Sequence, residues 1–318
     1  MSAPEVVTFG ESMGLLLAEP GRPLEHAEAF RRSVAGAESN VAVALARLGH
    51  RASWFGRVGD DAFGHTVLRT LRGEGVDVSR ARVDPAAATG LIVRDCHPER
   101  AIEVLYHRAG SAGGRLAAED VDTAWLGSAR ILHVTGVTAA LSASALDACV
   151  TAVTAARAAG VLVSFDPNVR RKLLAAEHWP ALLRPLTERA DLVLTGLDEA
   201  RLLTGHDERA PAARHFLDLG ARLVVVKDGA RGAWATDGTR EWAVPAHPVT
   251  ACDPVGAGDA FDAGFLSARL RGLPVPAALA EAAVVAAHVV QVAGDLDGLP
   301  TARQRDAALT GVADAVRR

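Results

Sequence analysis

The stretch best suited to chemistry lies late in the chain, where residues 253–259 read Asp-Pro-Val-Gly-Ala-Gly-Asp. Gly256 and Gly258 flank Ala257, and a run typical of a helix follows Asp259. Glycines before a helix let backbone N–H groups face a ligand, and the helix dipole favours an anion there. A carboxylate inside an anion site repels phosphate, so Asp259 fits a base that accepts a proton from a hydroxyl about to be phosphorylated. From these residues alone, a glycine-rich turn with Asp259 as a helix cap fits equally well.

Two familiar phosphate-binding loops are excluded. The spacing Gly256-x-Gly258-x-x-Phe261 lacks the third glycine of a dinucleotide fingerprint, and no Gly-Lys-Ser/Thr follows it. Residues 59–66, Gly-Asp-Asp-Ala-Phe-Gly-His-Thr, come near a Walker A loop, but His65 stands where lysine belongs. The two acids would also repel phosphate, so we interpret this segment as the entry to a helix.

Residues 253–259 resemble the C-terminal signature of the ribokinase-like (PfkB) carbohydrate kinases. All seven positions agree, and so does their place before a late helix. The resemblance runs from Val6 to about Pro300 and implies that Asp259 is the catalytic base and that the backbone of residues 256–258 forms an anion hole. It also implies transfer of the γ-phosphoryl group of ATP to a primary hydroxyl of a sugar or sugar acid. The implied cofactors are ATP, Mg²⁺ and, as a further option, a monovalent cation such as K⁺.

Three further segments follow predicted strands, at the sheet edge where ligands collect in α/β proteins. Arg170 ends Asp-Pro-Asn-Val-Arg, and its guanidinium can hold a carboxylate or phosphate, although a solvated turn arginine fits the local sequence as well. Lys227 is one of only two lysines and precedes Asp-Gly-Ala-Arg-Gly, which suits a phosphate cradle. Glu199 follows another strand, where a plain helix-start carboxylate is the alternative. The resemblance assigns ATP contacts to residues 256–258 and to Asn168, Lys227, Gly229 and Gly232, and assigns Glu199 to Mg²⁺ through water.

The residues that would bind the sugar are less clearly indicated by the sequence than those that would bind the nucleotide. Gly36-Ala-Glu-Ser-Asn40 and Tyr106-His-Arg-Ala-Gly-Ser-Ala112 look most like 2-keto-3-deoxygluconate kinases. Leu15 stands where kinases of neutral sugars usually carry an acid, and Ile92 replaces an aromatic residue that some members place against the substrate. The resemblance implies that the substrate is contacted by Gly36, Asn40, Tyr106, Arg108, Arg170, Asp259 and Asp295.

Other readings remain open. Without the resemblance, Gly36 is an ordinary loop residue before a helix, Tyr106 and Arg108 lie on a surface strand, and Asp295 is a turn residue. Asp-Pro-Asn-Val-Arg also occurs in fructokinases, so fructokinase is the alternative activity. A sugar- or nucleotide-binding regulator without turnover is the second alternative, and the presence of Asp259 and Lys227 with both glycines speaks against it.

The elements that must position these residues alternate between strand and helix. This pattern predicts a doubly wound α/β fold with a mostly parallel sheet and helices on both faces. Two β-like runs at residues 89–95 and 101–108, joined by a turn at 96–100, interrupt it and indicate a small β-sheet lid. The predicted domain is single, residues 1–318, with a discontinuous lid from about 12–35 and 88–112. In many PfkB members the lid also mediates dimerisation, which implies a homodimer or higher homo-oligomer. The other predicted strands are 5–9, 13–18, 51–58, 131–135, 161–165, 192–195, 222–227, 232–236 and 240–244; the predicted helices begin near 39, 142, 179, 197 and 211 and after Gly256, Pro274 and Pro300.

Composition narrows the class of protein. The 318 residues are 49% hydrophobic, which is enough for a sizeable core, and a formal net charge of −4 gives no reason to expect nucleic acid or an acidic membrane surface. The three cysteines are widely spaced, which argues against a disulfide framework or a zinc site and is typical of a reducing cytoplasm. No signal peptide is evident, and the longest apolar run, residues 282–292, is too short to span a bilayer. We therefore predict a soluble, cytoplasmic protein whose partners are small molecules.

Overall fold

Short apolar segments bounded by glycine or polar residues form the strands, and alanine-rich segments between them form the helices. The computed structural model of the protein describes residues 3–97 and 101–311. The strands are β1 (Val6–Phe9), β2 (Met13–Ala18), β3 (Phe30–Ala35), β4 (Ala52–Phe55), β5 (Arg57–Gly59), β6 (Arg82–Asp84), β7 (Leu91–Arg94), β8 (Val104–His107), β9 (Ile131–Thr135), β10 (Leu162–Asp166), β11 (Leu192–Gly196), β12 (Leu223–Lys227), β13 (Ala233–Thr236) and β14 (Glu241–Val244). The helices are α1 (Ala37–Arg47), α2 (Ala62–Gly73), α3 (Thr123–Leu126), α4 (Gly136–Ala139), α5 (Ala143–Ala158), α6 (Trp179–Thr187), α7 (Leu197–Thr204), α8 (Arg209–Asp218), α9 (Ala257–Leu270), α10 (Val275–Val289) and α11 (Ala302–Thr310).

The central sheet has the order β14-β13-β12-β11-β10-β9-β1-β4 within the described residues. The pairs from β4 to β12 are parallel, and the last two pairs, β12 with β13 and β13 with β14, are antiparallel. Because parallel neighbours point the same way, the carboxyl ends of β1, β10, β11 and β12 open on one edge of the sheet.

Helices cover both faces of this sheet because neighbouring strand residues point in opposite directions. Val6 packs into one buried cluster with residues of α1, α9 and α10, whereas Val7 packs into another with residues of α5, α6 and α8. Val225 and Val224 divide between the two clusters in the same way. The doubly wound, mostly parallel α/β fold that the sequence predicts is confirmed.

A second, smaller sheet stands apart, with the strand order β3-β2-β7-β8. Its inner face carries Leu15, Ile92 and Tyr106, which lie side by side in register, with Leu15 and Ile92 in a small buried cluster and Tyr106 packed against it. The predicted small sheet is thus present. The turn predicted between its last two strands includes residues 98–100, which lie outside the described residues.

Several predicted boundaries are wrong, and two of them are informative. The strand expected over 51–58 is broken at Gly56 into β4, in the central sheet, and β5, which pairs with β6 instead. A side chain at Gly56 would lie 2.3 Å from the carbonyl oxygen of Gly10, so the chain bends where the backbones are closest. Helix α1 begins at Ala37, two residues before the predicted start, with Gly36 as its N-cap.

The described residues contain neither a membrane-spanning helix nor a disulfide bond. None of the helices in residues 3–97 and 101–311 is long and apolar enough to cross a membrane. Cys96, Cys149 and Cys252 are free thiols.

Candidate active site

One cavity, of about 500 Å³, opens at the carboxyl edge of the central sheet and is roofed by the inner face of the small sheet. Size and position are those expected of a small-molecule site. The cavity gathers most of the predicted site residues: Gly36, Asn40, Tyr106, Arg108, Asn168, Arg170, Glu199, Lys227, Gly229, Gly256, Gly258, Asp259 and Asp295. Ala257 and Gly232 do not line it.

Asp259 occupies the third position of α9, directly after the glycine-containing turn. Gly256 is the N-cap with φ of +82°, a left-handed conformation that strains other residues, and the N–H of Ala257 donates to the carbonyl oxygen of Pro254. The Ala257 N–H is thus already paired, whereas Gly256 and Gly258 line the cavity, where the N-terminus of α9 and its helix dipole can bind an anion.

Two asparagines hold the Asp259 carboxylate. Asn40 donates through Nδ2 to Oδ2 at 2.8 Å, and Asn168 donates through Nδ2 to Oδ1 at 3.3 Å. Asn168 has φ of +41°, the left-handed region that asparagine tolerates better than most residues. Its backbone is fixed by Asp166, which accepts from the N–H of Asn168 at 3.0 Å. These contacts bring residues from α1, from the loop after β10 and from α9 to one carboxylate.

The carboxylate is only 6% exposed, and this burial raises the pKa of Asp259 to about 7. The negative charges of Asp166 and Asp295 act in the same direction, whereas Arg170 and the Asn40 hydrogen bond oppose the rise. A carboxyl group that titrates near neutral pH is matched to the work of a general base.

Asp295 stands beside this group, in the loop after α10. Its Oδ2 accepts from Asn40 at 3.5 Å, and its Oδ1 accepts from Arg94 of the small sheet at 2.9 Å. Burial raises the pKa of Asp295, although the Arg94 charge acts against the rise. Asp295, predicted to contact the substrate, thus belongs to a hydrogen-bond network that includes Asp259.

Lys227 lies at the end of β12, below the first turn of α9. Its Nζ donates to Asp166 at 3.0 Å and to Asp262 at 2.9 Å, and its side chain is 14% exposed. Burial disfavours the charged amine, but the surrounding carboxylates outweigh it and raise the pKa of Lys227. Burial likewise raises the pKa of Asp262 well above its usual value. The lysine therefore carries a positive charge that is largely committed to two protein acids.

Glu199 lies near the start of α7. Its Oε1 accepts from the N–H of Val169 at 2.7 Å and its Oε2 from the N–H of Gly196 at 2.8 Å. Burial and then the Asp166 charge raise the pKa of Glu199. Glu199 is thus a partly buried residue of α7 that fixes two backbone amides and still lines the cavity.

The strand–turn–strand segment expected to bind the nucleotide places its two glycines differently. Gly229 begins a single helical turn and lines the cavity with φ of +54°. Gly232 has φ of +95°, and a side chain there would lie 2.0 Å from the carbonyl oxygen of Val244. The absence of a side chain at Gly232 therefore allows β13 to pair closely with β14. Gly232 itself does not line the cavity.

On the side of the cavity predicted to bind the substrate, Arg108 is an ion-pair partner of Glu11, which follows β1. Both side chains are nearly buried, at 9% and 1% exposure, and Ser111 donates a further hydrogen bond to Glu11. The Arg108 guanidinium also lies 5.5 Å from the centre of the Tyr106 ring. Tyr106 and Arg108, predicted to share a strand face, therefore do form one unit of the cavity wall.

Arg170 differs from the other cavity arginines because it is exposed. Among the described residues, its guanidinium donates only to the neighbouring carbonyl oxygen of Val169, at 3.4 Å. No carboxylate among the described residues lies within ion-pair distance of it, so its guanidinium is available to an anion from solution.

Sequence reasoning missed several charged residues that shape the site. Asp262 lies one helical turn after Asp259, and Glu11 follows the carboxyl end of a strand, so spacing and position could have identified both. Asp253 was read only as part of the motif. Arg94 gave no signal, because an arginine ending Leu-Ile-Val-Arg looks like a solvated strand residue. It is instead 2% exposed.

Comparison with known proteins agrees with this geometry. The chain matches the model of the pfkB family carbohydrate kinases over residues 3–302. It is 39% identical over 305 residues to the 2-dehydro-3-deoxygluconokinase of Bacillus subtilis (strain 168), covering 93% of each chain. It is 37% identical over 311 residues to the 2-dehydro-3-deoxygluconokinase of Thermoproteus tenax, covering 95% of this chain and 93% of the relative. The resemblance inferred from the motifs is confirmed.

Solved structures support the fold independently. A PfkB protein from Polaromonas sp. JS666 superposes with a TM-score of 0.88 at 43% identity, covering 96% of this chain and all of that one. A putative ribokinase II from E. coli in complex with ATP and Mg²⁺ superposes with a TM-score of 0.90 at 28% identity, covering 98% and 99%. The shared fold extends over nearly the whole chain.

Proposed function

The chain belongs to the PfkB family of carbohydrate kinases, and from this premise we propose that it phosphorylates a primary hydroxyl of 2-keto-3-deoxygluconate (2-dehydro-3-deoxygluconate) with ATP. The observation that carries the proposal is the setting of Asp259. A buried carboxylate whose pKa is raised to about 7 stands at the N-terminus of α9, inside a cavity that also offers a free arginine. The substrate assignment is supported by the two relatives named above, both 2-dehydro-3-deoxygluconokinases.

The proposed step is a direct phosphoryl transfer. The Asp259 carboxylate accepts the proton of the sugar hydroxyl while the hydroxyl oxygen forms a bond to the γ-phosphorus, and the bond from that phosphorus to the ADP oxygen breaks. General-base catalysis of this kind contributes about 10²–10⁴-fold. Asn40 and Asn168 orient the carboxylate toward the cavity, so the base is held before the substrate arrives.

We propose that the nucleotide places its phosphates at the N-terminus of α9, against the amides of Gly256 and Gly258, since the Ala257 N–H already donates to Pro254. Those amides and the helix dipole act on charge that develops as the phosphoryl group moves. Asn168 and Gly229 also line the cavity. We propose that Lys227, which is held by Asp166 and Asp262, contributes its positive charge to the electrostatic potential at the phosphate site. Gly232 is proposed to contribute only the conformation of the turn.

The residues present fit Mg²⁺ held mainly by the phosphates and by water. No group of three or more His, Cys, Asp or Glu side chains in the described parts of the chain could hold a metal ion alone. Magnesium usually keeps several waters and binds through one or two carboxylates plus substrate phosphates, and its charge neutralises the phosphates. Glu199 and Asp166 are the cavity carboxylates that such waters would reach. A requirement for a monovalent cation such as K⁺ stays a prediction, tested by turnover in potassium and in tetramethylammonium salts.

A sugar acid suits the cavity better than a neutral sugar. Arg170 is the exposed cation near the base, and guanidinium binds carboxylate through paired N–H bonds. Leu15 and Ile92 present apolar, buried side chains rather than an acid that would pair with ring hydroxyls. We therefore propose that Arg170 holds the substrate carboxylate, with Tyr106, Arg108, Gly36 and Asp295 around the carbon chain.

Fructokinase is the second candidate, favoured by Asp-Pro-Asn-Val-Arg at residues 166–170. The deciding experiment is ATP turnover over a panel that includes 2-keto-3-deoxygluconate and fructose. A kcat/KM at least a hundredfold higher for the keto-acid supports the proposal. Preference for fructose contradicts the assigned substrate, and absence of turnover with every sugar supports a binding regulator.

We also propose that residues 1–318 form one ribokinase-like domain whose small sheet serves as a lid and as a dimer interface. The outer face of that sheet carries Leu16, Val93 and Leu105 in register, and Leu105 is 44% exposed. Phe30 adds another exposed apolar side chain on the same sheet. Light scattering of the protein and of a Leu105→Glu variant tests this: a dimer that the substitution dissociates is expected, and a wild-type monomer contradicts it.

The free cysteines are consistent with the proposed cytoplasmic location.

A further inference from the structure

Arg94 is the last residue of β7 and points from the small sheet toward the body of the protein. In the sheet register it lies beside Leu17, on the inner face. It lines the cavity yet is only 2% exposed. A buried arginine needs compensating acids, and the chain supplies two.

Both acids come from loops that border the base. Nη1 of Arg94 lies 2.8 Å from Oδ2 of Asp253, and Nη2 lies 2.9 Å from Oδ1 of Asp295. Asp253 is completely buried. One planar guanidinium thus joins a strand of the small sheet to the loop before α9 and to the loop after α10.

Each of the two acids also makes hydrogen bonds that extend toward the reaction centre. Asp253 accepts from the N–H of Val255 at 3.1 Å and from the N–H of Gly294 at 3.1 Å, so it fixes the turn that leads into α9. Asp295 accepts from Asn40, which in turn donates to Asp259. Arg94 is therefore connected to the anion-hole turn through Asp253. It is connected to the Asp259 carboxylate through Asp295 and Asn40.

We propose that Arg94 is a positioning residue that holds the anion-hole turn and Asp259 in register with each other and with the small sheet. It acts through Asp253 and Asp295 without touching the reacting atoms. The inference rests on the proposed role of Asp259 as base, but it holds for whichever sugar the wild type phosphorylates. Lysine keeps the charge but lacks the rigid fork that reaches two carboxylates at once.

Arg31 offers a matched control on the same face of the same sheet. It lies on the other side of Leu17, and it contacts the same loop after α10, through Asp297 at 2.6 Å and the carbonyl oxygen of Ala293 at 2.7 Å. It does not contact Asp253 or Asp295 in the described structure. Arg31→Met therefore loosens the small sheet without disturbing the acids that Arg94 holds.

The test compares Arg94→Lys, Arg94→Ala and Arg31→Met in the full chain, with the acceptor sugar that the wild type uses best. We expect Arg94→Lys to lower kcat at least tenfold while the KM for ATP changes less than threefold, and Arg31→Met to keep kcat within twofold. We expect guanidinium ion at millimolar concentrations, far below those that unfold proteins, to restore at least a third of the lost activity of Arg94→Ala.

Three results would overturn the inference. The first is a folded Arg94→Lys variant with kcat within twofold of the wild type. The second is an equal loss in Arg31→Met, which would assign the effect to general attachment of the sheet. The third is the absence of guanidinium rescue in a folded Arg94→Ala variant. An Asp259→Asn variant measured in parallel separates the premise from the inference, because near-normal turnover there rejects the base assignment whatever Arg94 does.

Discussion

Asn40 Nδ2 lies 2.8 Å from Oδ2 of Asp259, although 219 residues separate the two along the chain. The contact ties the N-terminal turn of α1 to the N-terminal turn of α9 across the cavity. A hydrogen bond donated to a carboxylate favours its charged form, so Asn40 keeps the Asp259 pKa lower than burial alone would set it.

Replacing Asn40 with alanine should therefore raise the pKa of Asp259 above about 7. Because the base must be ionised, the acidic limb of the kcat/KM profile should move to higher pH, and kcat/KM at pH 7 should fall about tenfold, in keeping with loss of a hydrogen bond to a charged group. A pH–rate profile from pH 5.5 to 9 measures this. An acidic limb that stays in place or moves to lower pH contradicts the assigned contact.

Asp259 should also cost the protein stability. Its pKa rises on folding from 3.8 to about 7, so between those values the native state binds more protons than the unfolded state and stability falls as pH rises. About three units correspond to at most about 4 kcal/mol, fully lost above pH 7. Asp259→Asn should thus raise the free energy of unfolding by about 1–3 kcal/mol at pH 8 and by less at pH 5. Urea denaturation at both pH values checks this, and equal stability of the two proteins at pH 8 contradicts it.

Lys227 is expected to be structural as well as electrostatic. Lys227→Met leaves Asp166 and Asp262 buried without their cation, and breaking a buried ion pair in this way costs about 3–5 kcal/mol. The double variant with Asp262→Asn should recover part of that loss, because one uncompensated carboxylate is removed. Lys172→Met is the control, since within the described residues this exposed lysine donates only to the carbonyl oxygen of Val104. Unchanged stability of a folded Lys227→Met protein would show that the two acids do not depend on the lysine.

Arg170→Ala should raise the KM for 2-keto-3-deoxygluconate far more than the KM for fructose, by about tenfold or more against about twofold or less, since only the first substrate carries a carboxylate for the guanidinium. Arg171→Ala is the matched control, because this neighbouring arginine does not line the cavity. Steady-state kinetics with both sugars provide the comparison. Equal increases for the two substrates would argue against a carboxylate clamp.

The fold and most of the residues that line the cavity could be predicted because the sequence patterns that indicate them are local. Alternating strands and helices indicated the doubly wound sheet, and the placement of Lys227, Arg170 and Glu199 after strands predicted that they would meet at one edge. Residues 253–259 indicated the N-terminus of α9 and the proposed base for the same reason: the glycines and the acid are adjacent in the chain.

Contacts between distant segments could not be predicted in this way. Arg94 and Asp295 are 201 residues apart, and nothing in the pattern around Arg94 distinguishes a buried fork from a solvated strand residue. The division of residues 51–58 between two sheets depends on the close approach of Gly56 to Gly10, which is also a tertiary contact. The close approach of Gly232 to the carbonyl oxygen of Val244 is likewise a tertiary contact that the local sequence did not indicate, and the nucleotide contact predicted for Gly232 stays a prediction.

The most direct test of the central claim is the turnover of Asp259→Asn. The account predicts a folded protein that binds ATP with unchanged affinity while kcat falls at least a hundredfold, with Asp297→Asn, an exposed acid near the cavity, as the control that keeps wild-type turnover. Turnover of Asp259→Asn within a few-fold of the wild type would contradict the assignment of Asp259 as the base.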